Sequence, residues 1–163
     1  MKLIAYRMVV TLILHALGFW DIRGIRCCQT DTSLYFIDDH NIKCTALDSL
    51  DQSNPTFQTV VPNIVEGTAI DVDVRNGMVY WSDTQAWTIN RMNLTSREVK
   101  VIIKENIGEV YSMAVEWESG LIYWTDFIYE RIEVANVDGS SRRTLVTQNV
   151  KSPVELQLIQ KMG

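Results

Sequence analysis

Cysteine, histidine and positive charge are all scarce in this chain of 163 residues. Three cysteines and two histidines are too few for a dense disulfide scaffold or a Cys/His zinc array. Fifteen basic against twenty acidic side chains leave a net charge of −5. Phosphate contacts need clustered Lys and Arg, so a nucleic-acid binder is excluded. No run of 18 or more apolar residues occurs, which excludes a bilayer-spanning helix in the mature chain. Present instead are 47% hydrophobic residues against 21% charged, enough for one core of ordinary size and too apolar for global disorder.

Residues 1–18 read as a secretory signal peptide. Lys2 and Arg7 form a positive start, Met8 to Leu17 is apolar except for Thr11 and His15, and Ala16 and Gly18 place small residues at a cleavage site. The alternative is a buried N-terminal helix. Secretion leaves His40 as the mature chain's one histidine and places Cys27, Cys28 and Cys44 in an oxidising compartment. Adjacent cysteines seldom bridge each other, so Cys27 or Cys28 can close onto Cys44, leaving one thiol over. Residues 19–33 are a lead-in.

A 43-residue repeat organises the rest of the chain. Ile70–Asp83 (IDVDVRNGMVYWSD) lies over Met113–Asp126 (MAVEWESGLIYWTD), matching Gly77 to Gly120, Tyr80 to Tyr123, Trp81 to Trp124 and Asp83 to Asp126. The same shift carries Ile89 onto Ile132, Asn93 onto Asn136, Asn63-Ile64 onto Asn106-Ile107, and those onto Asn149-Val150. Leu34–Asp38, followed by Ile42, is a degenerate earlier copy.

Each unit predicts four short strands: Ala69–Val74 or Ser112–Trp117, Met78–Asp83 or Leu121–Asp126, Thr88–Met92 or Arg131–Ala135, and Val99–Lys104 or Arg143–Thr147. Arg75-Asn76-Gly77 and Glu118-Ser119-Gly120 supply tight turns between the first two. Four antiparallel strands recurring every 40 to 50 residues is the pattern of propeller blades. A β-sandwich is the structural alternative, but it does not explain a fixed period.

Tyr80-Trp81-Ser82-Asp83 and Tyr123-Trp124-Thr125-Asp126 resemble the YWTD motif of low-density-lipoprotein-receptor class B repeats, and Arg131–Gly139 resembles the third strand and turn of that repeat. The resemblance runs from about Leu34 to Leu158. A leader passing almost directly into a first blade resembles the Wnt co-receptor branch of the receptor-related proteins. The family builds six-bladed propellers, about 258 residues at this period, whereas about 145 follow the leader here. The expected fold is therefore all-β: a partial six-bladed propeller of about three blades over residues 34–158, its ring not closed, with 159–163 a tail outside the repeat. An open half exposes blade flanks, so a fragment, a truncated product or an incomplete gene model is expected.

Chemistry is sparse. A Ser-His-Asp triad must use His40, beside Asp38 and Asp39, where a turn between strands is the plainer reading. Asp83 and Asp126 occupy one repeat position, which favours structure over paired acid/base work. The resemblance implies that these aspartates tie strands or blades together and that Trp81 and Trp124 pack between blades. Asp71 and Asp73 are too few oxygens for a channel calcium ion. The chain is expected to be no enzyme, with no cofactor and no metal.

Strand alternation puts the turn after strand two and the link between blades on one face. That face collects Trp87, Phe127 and Tyr129 with Glu66, Glu109 and Glu130, the rigid apolar area and charge that suit a basic protein partner. The alternative is aromatics folded over blade edges beside solvated acids. Asn93-Leu94-Thr95 is an N-glycosylation sequon on the opposite face. The expected function is an extracellular module that binds secreted or cell-surface protein ligands, Wnt-pathway proteins or endocytosed cargo by family resemblance, alongside the remaining blades of a parent receptor. A nidogen-like matrix or adhesive glycoprotein is the alternative, and a calcium-dependent hydrolase propeller a third.

Overall fold

Alternating side chains, broken by turns rich in Gly and Asn, yield twelve strands in the computed structural model, which describes residues 10–14 and 32–159. They are β1 (Val10–Leu14), β2 (Thr32–Asp38), β3 (Asn41–Ala46), β4 (Gln58–Val61), β5 (Gly67–Asp73), β6 (Met78–Asp83), β7 (Thr88–Asn93), β8 (Val99–Ile103), β9 (Met113–Glu116), β10 (Leu121–Asp126), β11 (Arg131–Asn136) and β12 (Arg143–Val146). A 3-10 turn at Leu47–Ser49 interrupts the first group. No helix among the described residues is long and apolar enough to cross a membrane.

The strands form three antiparallel four-stranded sheets in chain order, β1–β4, β5–β8 and β9–β12. The strands β6 and β10 coincide with the expected motif strands, and the others of the two central repeats begin and end within two residues of expectation. The first strands β1, β5 and β9 lie side by side, so the sheets fan outward from a common axis as propeller blades do.

The sequence shows two complete repeats; the structure shows three complete sheets. The difference is β1, which pairs with β2 from Val10 against Phe36 to Leu14 against Thr32. A β2 strand at a sheet edge leaves a row of unpaired backbone groups, and an apolar segment containing Val, Thr and Ile satisfies them. Those five residues fall within the expected leader, whose charged start and cleavage site lie outside the described residues.

The core lies between sheets. Tyr35, Ile37, Ile42 and Cys44 of the first sheet meet Val72, Val79, Trp81 and Met92 of the second. Tyr80, Ile89 and Ile103 of the second meet Met113, Val115, Ile122 and Trp124 of the third. Neighbours on a strand point to opposite faces, so Tyr80 packs forward on the third sheet while Trp81 packs backward on the first. The adjacent aromatics of the motif are thus explained: each middle blade needs a bulky apolar group on both sides. Cys44 is fully buried and disulfide-bonded; Cys27 and Cys28 lie outside the described residues.

The repeated asparagines have a conformational cause. Asn63, Asn106 and Asn149 all take left-handed backbone, with φ of 59°, 49° and 60°, a region that Asn enters more readily than bulkier residues. After Asn149 the chain runs across the third sheet. The Ser112 hydroxyl accepts the Leu156 N–H at 3.0 Å and donates to the Leu156 carbonyl at 3.2 Å. Ile159, the first residue of the expected tail, lies outside any strand and is exposed; 160–163 lie outside the described residues.

Candidate functional site

One end of the blades is built by two kinds of segment: the link entering each sheet and the hairpin joining its second and third strands. The last residue of the aromatic motif fastens them. Asp83 Oδ2 accepts the Val65 N–H at 2.9 Å, while Oδ1 accepts N–H bonds from Gln85 and Ala86 at 3.1 and 2.9 Å. One repeat on, Asp126 accepts from Gly108 at 3.2 Å and Tyr129 at 3.1 Å. Both aspartates are buried. Each aspartate thus joins the link entering its sheet to the hairpin of that same sheet.

These ties set the positions of the two acidic links. The Glu66 carbonyl accepts the Thr84 N–H at 2.9 Å, and the Glu109 carbonyl accepts the Phe127 N–H at 2.9 Å. Thus Glu109 and Phe127 are held side by side, with Tyr111 added. The Tyr111 ring meets Phe127 edge-on, centroids 5.3 Å apart at 87°, and its hydroxyl donates to Glu109 Oε2 at 2.5 Å. That bond, desolvation and the charges of Glu109 and Glu66 push the Tyr111 hydroxyl up to about 12. Glu66, Glu109, Tyr111 and Phe127 therefore form one aromatic and anionic patch spanning two blades.

The remaining expected residues stand apart in detail. Trp87 is 51% exposed at the second sheet's hairpin tip with φ of 52°, and Glu130 takes the same place in the third with φ of 48°. Tyr129 is turned to Arg131, whose guanidinium lies 4.6 Å from its ring centroid.

Two features escaped sequence reasoning. Tyr111 sits at the repeat position held by Thr68 in the preceding unit, and that change of size was the available signal. The second is a partly buried charge cluster. Arg131 bridges Asp126 at 3.2 Å and Glu133 at 3.3 Å, and Arg142 bridges Glu133 at 2.5 Å while donating to the carbonyls of Glu105 and Asn106. It fastens the link of residues 105–106 to the outer part of the third sheet.

His40 lies in the β2–β3 turn. Its Nδ1 is 2.9 Å from the Val65 carbonyl and its Nε2 is 3.5 Å from Asp39, an arrangement that fastens a turn to the next link. Asp71 accepts the N–H of Val115 at 2.7 Å and of Val72 at 2.8 Å. Asp73 accepts from Asn76 through backbone N–H at 3.1 Å and Nδ2 at 2.7 Å. Among the described residues no group of three or more His, Cys, Asp or Glu converges as a metal ion would require. Asn93 ends β7, partly exposed, and its Oδ1 accepts N–H bonds from Thr95 and Ser96 at 2.9 and 2.8 Å.

Comparison with known proteins agrees with this geometry. Residues 120–156 match the family described as low-density lipoprotein receptor repeat class B. Low-density lipoprotein receptor-related protein 5 of Homo sapiens is 33% identical over 101 residues, 61% of this chain. The match spans 6% of that relative's length. Among solved structures, a chain of the nidogen/laminin complex superposes with a TM-score of 0.65 at 25% identity, covering 73% of this chain and 46% of that one. The hydrazine synthase of Kuenenia stuttgartiensis covers 76% of this chain and 34% of its own, with a TM-score of 0.58. At 12% identity it shares the fold alone. The motif, the three radial sheets and these likenesses agree: residues 120–156 match a low-density lipoprotein receptor class B repeat, and the fold resembles part of a YWTD-type propeller.

Proposed function

We propose that this chain is a non-catalytic, extracellular protein-binding module of a receptor-like protein. Its ligand face is centred on Glu66, Glu109, Tyr111 and Phe127, with Trp87, Tyr129 and Glu130 at its rim. The Tyr111–Phe127 pair seated against Glu109 carries the reading: an edge-to-face aromatic pair is rigid and apolar, and the two carboxylates beside it favour a basic partner. The sheet flanks at either end of the arc suit further blades of a longer protein, and the Asn93 sequon suits a secreted or cell-surface product. Wnt-pathway ligands and endocytosed cargo are the finer possibilities that the receptor-related likeness supports.

The test pans a random peptide library at near-physiological salt against the chain. Enrichment of Lys- and Arg-containing peptides is expected, with capture lost in a Glu66→Lys/Glu109→Lys variant that retains its near-ultraviolet circular dichroism. Unchanged capture by the variant, or no basic enrichment, overturns the site.

The nidogen likeness favours a second reading, a matrix or adhesive module. Modules in the parent sequence separate the two: a transmembrane span marks a receptor, and matrix modules the alternative.

A further inference from the structure

The joint between the second and third sheets contains a carboxylate where backbone pairing would otherwise be absent. The sheets are hydrogen-bonded within themselves, and their first strands β5 and β9 lie side by side. At one end of this seam Thr68 and Ser82 donate hydroxyls to the Val110 carbonyl at 2.7 and 2.9 Å. Further along, Asp71 Oδ2 accepts the Val115 N–H at 2.7 Å, so that amide is protected by a titratable group of the neighbouring blade.

No cation is paired with this carboxylate in an ion pair among the described residues. From its own strand it faces Asp73, a like charge that is itself buried. From β6 it is in register with Tyr80, whose hydroxyl is associated with Arg91 of β7. On β9, Glu116 follows Val115 and accepts from the Tyr123 hydroxyl at 3.2 Å. Beyond the strand ends, Arg75 stacks on Trp117, 3.2 Å from the ring centroid. The seam thus holds a partly buried negative group bound by the backbone amides of Val72 and Val115.

We propose that Asp71 makes the seam between the second and third blades proton-responsive, so that mild acid closes the joint more tightly and neutral pH loosens it. Linkage gives the direction. Closing the seam takes water from the carboxyl, and burial, with help from Asp73, pushes Asp71 up to about 6 against two amide donors that lower it. Opening the seam returns the carboxyl to water and to its ordinary value of 3.8. The closed state therefore holds the proton more tightly, and proton uptake favours closure. The protonated carboxyl keeps its C=O as an acceptor for Val115, so the bond across the seam survives neutralisation. Between pH 7.5 and 5.0 the closing equilibrium gains about tenfold. This response is independent of whatever the ends of these strands bind.

Native-state amide exchange on the whole chain tests it. Protection of the Val115 amide, corrected for intrinsic exchange and divided by that of Val79 inside the second sheet, is followed from pH 7.5 to 5.0. About a tenfold rise is expected in the wild type and none in Asp71→Asn, whose side-chain carbonyl still accepts from Val115. A flat ratio in the wild type, or the same rise in the variant, overturns the proposal. Should the variant fail to fold, the wild-type Asp71 carboxyl carbon resonance decides: a midpoint near 6 shared with the Val115 amide supports it, and one near 4 overturns it.

Discussion

Asp83 and Asp126 stand 43 residues apart and perform one task, each reaching back 18 residues to a backbone amide of the link that enters its own sheet, Val65 at 2.9 Å and Gly108 at 3.2 Å. They differ in company. Asp83 meets backbone N–H groups, whereas Asp126 also pairs with Arg131.

That difference predicts unequal costs. Asp83→Ala leaves buried amides without an acceptor and lowers stability by about 1–3 kcal/mol. Asp126→Ala also leaves the Arg131 guanidinium without one of its partners inside the protein, a loss of about 3–5 kcal/mol. Chemical denaturation of both variants, compared at equal slope, measures the order.

Gly139 turns the chain after β11 with φ of 89°, and a methyl group there would collide with the Ile102 carbonyl of the preceding sheet. Gly139→Ala is expected to cost about 1–3 kcal/mol through strain and forced separation of the two sheets. Gly77, with φ of 61° and open space around it, pays only the conformational part. Gly77→Ala is therefore the milder of the two in a thermal melt.

Asp71 contributes to the pH dependence of stability, being raised to about 6 in the folded chain from 3.8. A raised folded value means the native state binds the proton more tightly. The associated stability is complete below 3.8 and is lost as pH rises through about 6. Relative to Asp71→Asn, the wild type should gain about 1 kcal/mol between pH 7.5 and 5.0. Urea titrations of both proteins at the two pH values give the difference directly.

Expression through the secretory route is expected to add an N-linked glycan at Asn93. Its side chain lies at a strand end with Thr95 and Ser96 folded around it in an exposed turn. Asn93→Gln and Thr95→Ala should each remove one glycosidase-sensitive mass increment without changing the circular dichroism. An unshifted wild-type mass in that system would remove the assignment.

The period and the Tyr-Trp-x-Asp spacing made the central blades legible, because the same backbone solution is written twice. The strands β6 and β10 were fixed by residues whose physical demands are local, whereas the three asparagines were legible as a repeat match and their left-handed backbone was not. Features without a repeat partner were hidden. Glu133 and Arg142 fall on Asn90 and Val99 of the preceding unit, so their ion pair is written once. Tyr111 replaces Thr68, and its contact with Phe127 depends on a hairpin whose equivalent residue is Thr84. The first sheet's inner strand was hidden for another reason: apolar runs suit a leader and a strand equally, and pairing with β2 is a tertiary fact.

The fastening of link to hairpin within each unit also has an evolutionary side. Because Asp83 and Asp126 secure their own modules internally, duplication or excision of a whole 43-residue cassette would preserve those fastenings and disturb just the junctions at its borders. A cut made out of phase would instead sever an aspartate from its amide. Tolerance to recombination should therefore oscillate along the gene with that period, greatest where breakpoints respect the cassette.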